Sequence, residues 1–304
     1  MEGTTTHNGS TTLLGDVTFR IASAPTVDTS LYGLSSEQAE FFKAQTGIDD
    51  DEDLKRHILE VQAKAYQVAP YPCIRSFVFL RNITFLRLNL SNLSVYEHIL
   101  ELGRKRPDAL LLDIGCCFGI DGRKAAADGF PAKNIIASDL FNEFLQLSHE
   151  LFKTTPASYP GCFLPGDVFD PAFLSIAAPT DDVSPAPAID LSCLKSLNSL
   201  HGRISVINAI SFFHLFSEEK QFLVAKALAG LLSAQPGSVI CGYHVNNSLP
   251  GSEYGLFAHS PKTWTSLWDG EIFKKGSVKV ETELVEIATR DVQFFMMKWS
   301  VMRL

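Results

Sequence analysis

Leu110-Leu111-Leu112-Asp113-Ile114-Gly115-Cys116-Cys117-Phe118-Gly119 decides how this chain is read. The apolar run from Ala109 to Ile114 has no alternation, as expected of a parallel strand covered on both faces. Gly115 and Gly119 then supply a bend in which backbone can come close to a ligand. In open α/β sheets ligands bind at the carboxyl ends of the strands, so this bend is the first candidate site. Its spacing is acid, one residue, glycine, three residues, glycine. A dinucleotide turn of the G-x-G-x-x-G kind would need glycine at 117, where the chain has Cys117.

Strands and helices alternate outward from this stretch. Helix Gly122 to Asp128, strand Asn134 to Ser138, helix Phe141 to Lys153 and a strand near Cys162 to Leu164 follow in turn. Ala177 to Ala188, with Pro179, Pro185 and Pro187, reads as a loop insertion. Helix Leu191 to Leu200, strand Ile204 to Asn208, helix Glu218 to Ser233 and strand Ser238 to His244 continue the pattern. Val278 to Ile287 and Val292 to Met302 are β-rich and joined by the short turn Ala288 to Asp291, which predicts a hairpin. The fold class is α/β: a doubly wound, Rossmann-like sheet, mostly parallel, closed by an antiparallel C-terminal hairpin with a reversed edge strand.

Before the sheet lies a helical cap. Ser35-Ser36-Glu37-Gln38 opens one helix, and the acids Asp49 to Asp53 open a second that Pro70 ends. Tyr71-Pro72-Cys73-Ile74-Arg75 breaks regularity, and a further helix covers Val95 to Lys105. The division expected is a flexible tail over 1–30, a helical cap over 31–107 and the α/β core over 108–304.

Composition narrows the function. The 304 residues are 46% hydrophobic and 20% charged, so a large core is available and global disorder is excluded. A net charge of -8 without a basic cluster speaks against nucleic acid as a partner. No stretch reaches the roughly 18 apolar residues of a membrane span, and the Thr/Ser/Gly-rich start does not read as a signal peptide. The six cysteines are too sparse for a disulfide scaffold and lack a zinc spacing, so no metal is expected and a reducing cytoplasm is the default compartment. Nothing in the sequence sets the oligomeric state.

The strand ends carry the remaining signals. Asp139, followed by Leu140, ends the second strand, where a carboxylate can accept two hydrogen bonds from a ribose diol. Asp167, followed by Val168, ends the third, and Asn208 ends the fourth ahead of Phe212-Phe213-His214-Leu215-Phe216. The bend from Asp113 to Gly119 resembles the first motif of class I S-adenosylmethionine-dependent methyltransferases, and the segment after Asn208 looks like their fourth. A closer resemblance covers most of 31–304. Glu37 to Phe42, Tyr71 to Arg75, Leu111 to Gly119 and His214-Leu215-Phe216 look like fungal secondary-metabolite methyltransferases of the meroterpenoid type.

The resemblance implies S-adenosylmethionine as cofactor and methyl transfer to a carboxyl or hydroxyl oxygen of a small, largely apolar metabolite. Asp113, Gly115, Cys117, Gly119, Asp139, Leu140, Asp167, Val168 and Asn208 would then line the cofactor, with Asp167 on the adenine amino group. His214 becomes the candidate catalytic base, because the turn after the fourth strand faces the methyl group in this fold. Its other reading is a histidine packed between Phe213 and Leu215. His244 and His259 either line the acceptor pocket or are packed core histidines. Phe213 and Trp264 either wall the acceptor or belong to the core. Tyr71 and Arg75 fold over the cofactor, Arg75 pairing with a carboxylate, or Arg75 is a surface side chain bonded to loop carbonyls. Adjacent Cys116 and Cys117 read as small fillers of the bend rather than as redox groups. Carbon or nitrogen methylation stays open, since fold does not set acceptor chemistry. An NAD-dependent oxidoreductase shares the acid after strand two but not Cys117 or the terminal hairpin. A non-catalytic cofactor-binding subunit is the third reading.

Overall fold

A computed structural model describes residues 11–14, 17–20, 32–75, 84–184, 189–246, 257–288 and 293–304. Seven of its strands form one sheet: β3 (Leu111–Ile114), β4 (Ile135–Asp139), β5 (Cys162–Pro165), β6 (Val206–Asn208), β7 (Val239–Asn246), β8 (Val278–Ala288) and β9 (Gln293–Arg303). Their order is β5-β4-β3-β6-β7-β9-β8. The chain starts in the middle, runs to one edge and returns past its start, so the strand order reverses between β3 and β6. This reversal leaves a crevice above the carboxyl ends of both.

Both faces of the parallel strands are covered, as the uninterrupted apolar runs predict. Leu112, Ile114, Ile136, Ile207 and Ile240 enter one buried cluster with helix α7 (Glu218–Leu231) and helix α8 (Pro261–Trp268). Their chain neighbours Leu111, Ile135, Val206, Val239 and Cys241 enter another, with α4 (Tyr96–Lys105) and α5 (Ile120–Ala127). The period-2 alternation of each strand thus feeds two cores at once.

The C-terminal hairpin forms with β9 antiparallel to both β7 and β8. The reversed strand is therefore not at the edge, as expected, but one place in. β8 takes the edge and carries Glu281, Glu283 and Glu286 as exposed charges, which discourages pairing with a further chain. Of the expected turn, 289–291 lie outside the described residues.

One expected helix is absent. Leu191 to Leu200 forms two short 3-10 turns, Leu191–Cys193 and Leu197–Leu200. Polar side chains compete for the backbone here: Asp190 accepts the Ser192 N–H at 2.9 Å, and Asn198 accepts the Ser175 N–H at 2.6 Å. The loop before it carries no regular structure over 177–184, and 185–188 lie outside the described residues.

The N-terminal helices form as their caps predict. Helix α1 (Ser36–Thr46) starts in a reciprocal capping box between Ser35 and Gln38. Helix α2 (Asp51–Val68) starts at Asp50, whose carboxylate accepts from the N–H groups of Glu52 at 3.0 Å and Asp53 at 2.9 Å. A single turn, α3 (Pro72–Arg75), follows. These elements share a core with α5 and helix α6 (Asn142–Leu151): Phe42, Ile58 and Ile74 pack with Phe118, Phe144 and Phe152. By contrast α4, expected as the last helix of the cap, packs on the sheet itself. Within the expected tail, β1 (Thr11–Leu14) and β2 (Val17–Arg20) pair antiparallel in a sheet of their own.

The Asp50→Ala variant should lose about 1 kcal/mol of stability, because two N–H groups at the start of α2 lose their acceptor. Urea denaturation followed by circular dichroism measures it. An unchanged midpoint would mean that α2 is held by packing on α6 alone.

Candidate functional site

The bend after β3 holds three residues in the left-handed region: Gly115 at φ 67, Cys117 at φ 53 and Gly119 at φ 64. Only the middle one carries a side chain, at a strain cost of about 1 kcal/mol. Backbone bonds hold the bend: Cys116 N–H donates to the Ser138 carbonyl at 3.0 Å and Gly119 N–H to that of Cys116 at 2.8 Å. At Gly115 a methyl group would stand 2.5 Å from the Phe212 ring, so the ring after β6 lies directly on the bend.

Asp139 closes the second side. Its Oδ2 accepts the Cys117 N–H at 2.8 Å and its Oδ1 the Phe141 N–H at 3.1 Å. Each carboxylate oxygen offers about two acceptor directions, so capacity for two hydroxyl donors remains. Burial raises the Asp139 carboxyl to about 6, against the lowering effect of the backbone N–H groups around it. Leu140, next in the chain, is 52% exposed. A carboxylate with spare acceptor capacity beside an open apolar side chain fits a nucleoside: ribose on the acid, base on the leucine.

The segment before β3 folds toward the same tip. Tyr71 packs against Phe141 and Phe144, with ring centroids 6.2 and 5.6 Å apart. Burial and then the Asp139 charge push the Tyr71 phenol up, and the same two causes raise the Cys73 thiol to about 12. Cys73 was not singled out in the sequence. Arg75 ends α3, and its side chain lies outside what the structure describes.

Asp113, Asn208 and Asp167 lie below and beside this tip, and Gly166, just before Asp167, donates its N–H to the Asp139 carbonyl at 3.0 Å. Asn208 Nδ2 donates to Asp113 Oδ1 at 2.9 Å, and both residues are buried, so the pair ties β3 to β6 beneath the bend. Asp121 belongs to this network: it accepts the Leu90 N–H at 2.9 Å, and burial raises its carboxyl to about 6. Asp167 is exposed and accepts the Phe169 N–H at 2.9 Å, while Val168 is half-buried. Burial pushes the thiols of Cys116 and Cys117 up, so both are protonated at neutral pH and act as fillers.

The third side is aromatic. Phe213 and Trp264 are fully buried and meet edge to face, centroids 5.0 Å apart. His244 and His259 flank Trp264 at 4.9 and 5.2 Å. His214 sits in the 3-10 turn Phe213–Leu215, its Nδ1 shielded and without a partner among the described residues. Burial lowers His214 and His259 to about 4 and His244 to about 3, the last with help from the other two rings. Trp299 of β9 joins this group, and sequence reasoning missed it. The available sign was Gly242 inside a strand, where a methyl would meet the Ala209 carbonyl at 2.7 Å and the Trp299 ring at 2.9 Å.

Comparison with known proteins follows the same direction. Residues 28–80 match the meroterpenoid methyltransferase N-terminal domain. O-methyltransferase atr3 of Stereocaulon alpinum is 32% identical over 196 residues, 64% of this chain and 48% of that protein. Methyltransferase ausD of Penicillium brasilianum is 30% identical over 233 residues, 75% of this chain and 73% of that one. The asnovolin E/chermesin D methyltransferase nvfJ of Aspergillus novofumigatus is 28% identical over 222 residues, 71% of this chain and 69% of that one. The chain thus spans about half the length of the first of these relatives.

Gly115→Ala should destabilise the protein by about 2–4 kcal/mol, combining left-handed backbone strain with a methyl driven into the Phe212 ring. Thermal unfolding of Gly115→Ala beside Gly115→Ala/Phe212→Ala separates the two parts. If the second change restores none of the loss, the ring does not press on the bend.

Proposed function

The chain belongs to the fungal methyltransferase family of these relatives, and on that premise we propose that it methylates an oxygen of a small, largely apolar secondary metabolite, using S-adenosylmethionine. The observation that carries this reading is the Asp139 tip: a buried carboxylate with spare acceptor capacity, locked to the glycine bend through the Cys117 N–H at 2.8 Å. Asp139 would hold the ribose hydroxyls, Leu140 the adenine face, and the bend at Gly115 to Gly119 the rest of the nucleoside. Tyr71 and Cys73 would exclude water from that tip.

When bound, S-adenosylmethionine supplies a sulfonium methyl whose carbon accepts an oxygen lone pair while the carbon–sulfur pair stays on sulfur. The leaving group is activated in advance, so the protein's work is alignment and exclusion of water. A histidine at about 4 is a weak proton acceptor. That favours a carboxyl acceptor, ionised before it binds, over an alcohol that must lose its proton in the site. His214 is then a contact of the acceptor rather than its base. The acidic balance of the chain agrees with a small-molecule acceptor rather than nucleic acid. No described helix is long and apolar enough to cross a membrane. No two of the six cysteines are joined in a disulfide, which suits a reducing cytoplasm.

Incubation with methyl-labelled S-adenosylmethionine and a fungal metabolite extract should yield a labelled methyl ester that mild alkali releases as methanol. Label in an alkali-stable ether would instead assign a hydroxyl acceptor. Absence of any labelled product would remove the reading.

Asp139→Ala should weaken binding of S-adenosylhomocysteine by about 1–3 kcal/mol, measured by calorimetry, because ribose hydroxyls lose their acceptor. In the unaltered protein the affinity should fall as pH drops through about 6, where Asp139 takes up its proton. Asp139→Ala should lose that dependence. An affinity level from pH 5 to 8 would take Asp139 out of the site.

A further inference from the structure

Three histidines from three elements gather behind the bend: His214 after β6, His244 within β7 and His259 before α8. Among the described residues no group of His, Cys, Asp or Glu is arranged to hold a metal ion, so this cluster calls for another account. His244 is the most enclosed, at 2% exposure.

Its two ring nitrogens differ. Trp299 Nε1–H donates to His244 Nδ1 at 3.1 Å. An indole N–H can only donate, so Nδ1 must present a lone pair, and the ring cannot be doubly protonated while this bond exists. The proton of the neutral ring is thereby fixed on Nε2. That Nε2 is buried and has no partner among the described residues. Trp299 is held in turn by edge-to-face contact with Phe213 and Trp264, centroids 5.6 and 4.8 Å apart. Register places Trp299 opposite Gly242 and His244 opposite Met297, so indole and imidazole are diagonal neighbours across the β7–β9 ladder.

We propose that His244 Nε2–H is a fixed hydrogen-bond donor that holds one oxygen of the acceptor's carboxyl group while the other oxygen takes the methyl, with Trp299 as its positioning residue. This rests on the methyl-transfer reading above. His244 cannot serve as a general base in this arrangement, since Nε2 already bears a proton and Nδ1 is occupied. Like the Nε1–H groups of Trp264 and Trp268 in the same aromatic group, His244 Nε2–H is a buried donor without a partner among the described residues. Of these it alone is fixed in place by a second hydrogen bond on its own ring, so it asks for an acceptor from outside. A chain of ring contacts links the bend to His244: Phe212 lies on Gly115, and its chain neighbour Phe213 touches Trp264, which touches His244. The neighbouring titratable rings, His214 and His259, are neutral by burial and leave the donor without competition from a fixed charge.

The test uses the full chain, labelled with nitrogen-15 at histidine and loaded with S-adenosylhomocysteine; the His244 signals are those lost in His244→Gln. The expected spectrum shows the Nε2–H tautomer, and Trp299→Phe loses that preference. Abietate, a terpenoid carboxylate, should shift the Nε2–H resonance, and abietadiene, its hydrocarbon counterpart, should not. His244→Phe should bind abietate about tenfold more weakly, and His244→Gln, which keeps a donor, should recover most of the loss. An Nδ1–H tautomer, or abietate that binds His244→Phe as well as the unaltered chain, overturns the proposal. Calorimetry with S-adenosylhomocysteine on the same samples tests the methyl-transfer reading separately, because none of these changes touches the Asp139 tip.

Discussion

The hydrogen bond from the Cys117 N–H to the Asp139 carboxylate is the constraint on which the rest of the site depends. It joins the bend after the central strand to the tip of its neighbour, and it can form only because three successive odd positions, 115, 117 and 119, adopt the left-handed region. Two of the three are glycine and pay nothing for it. Cys117 accepts the strain, and its amide is the one that reaches the acid. Below, the Asp113–Asn208 pair keeps β3 and β6 level, so the bend and the segment after β6 start from a common height. The Phe212 ring can then lie on Gly115.

Much of this was legible in the residues, and the reasons are local. Caps at Ser35 and Asp50 announce two helices because their side chains satisfy N–H groups within three residues. The apolar runs at Leu111–Ile114 and Ile135–Asp139 announce parallel strands because both faces must be buried. Asp139 stands out in the sequence because the tip of a parallel strand is where ligands bind in an open α/β sheet. What was not legible depends on distant partners. Leu191 to Leu200 has helical spacing, yet Asn198 spends its amide on the backbone of Pro171 and Ala172 at 2.9 and 3.1 Å, which no local pattern announces. Asp113 and Asn208 lie in the expected motifs, and their side-chain bond arises because β3 and β6, 95 residues apart in the chain, are neighbours in the sheet. Trp299 is separated from His244 by 55 residues and meets it only through strand register.

The cap and the sheet cannot be treated as separate bodies. Helix α2 docks on α6, where His57 Nε2 donates to the Leu151 carbonyl at 2.9 Å and Lys64 pairs with Glu150. Phe42 stacks on Phe152 with centroids 5.8 Å apart. The same α6 begins just past Asp139, so the Asp139 tip and the residues that anchor the N-terminal helices share one support.

The place of β9 in the sheet has a consequence for how the protein comes into being. β8 leaves the ribosome first, yet in the finished sheet it pairs with β9 alone, and β7 meets β9 as well. Until residues past 293 emerge, one side of the nascent sheet has an open edge on β7 and a long unpaired strand beside it. A message truncated in that interval would release a chain whose two exposed edges invite pairing with other chains.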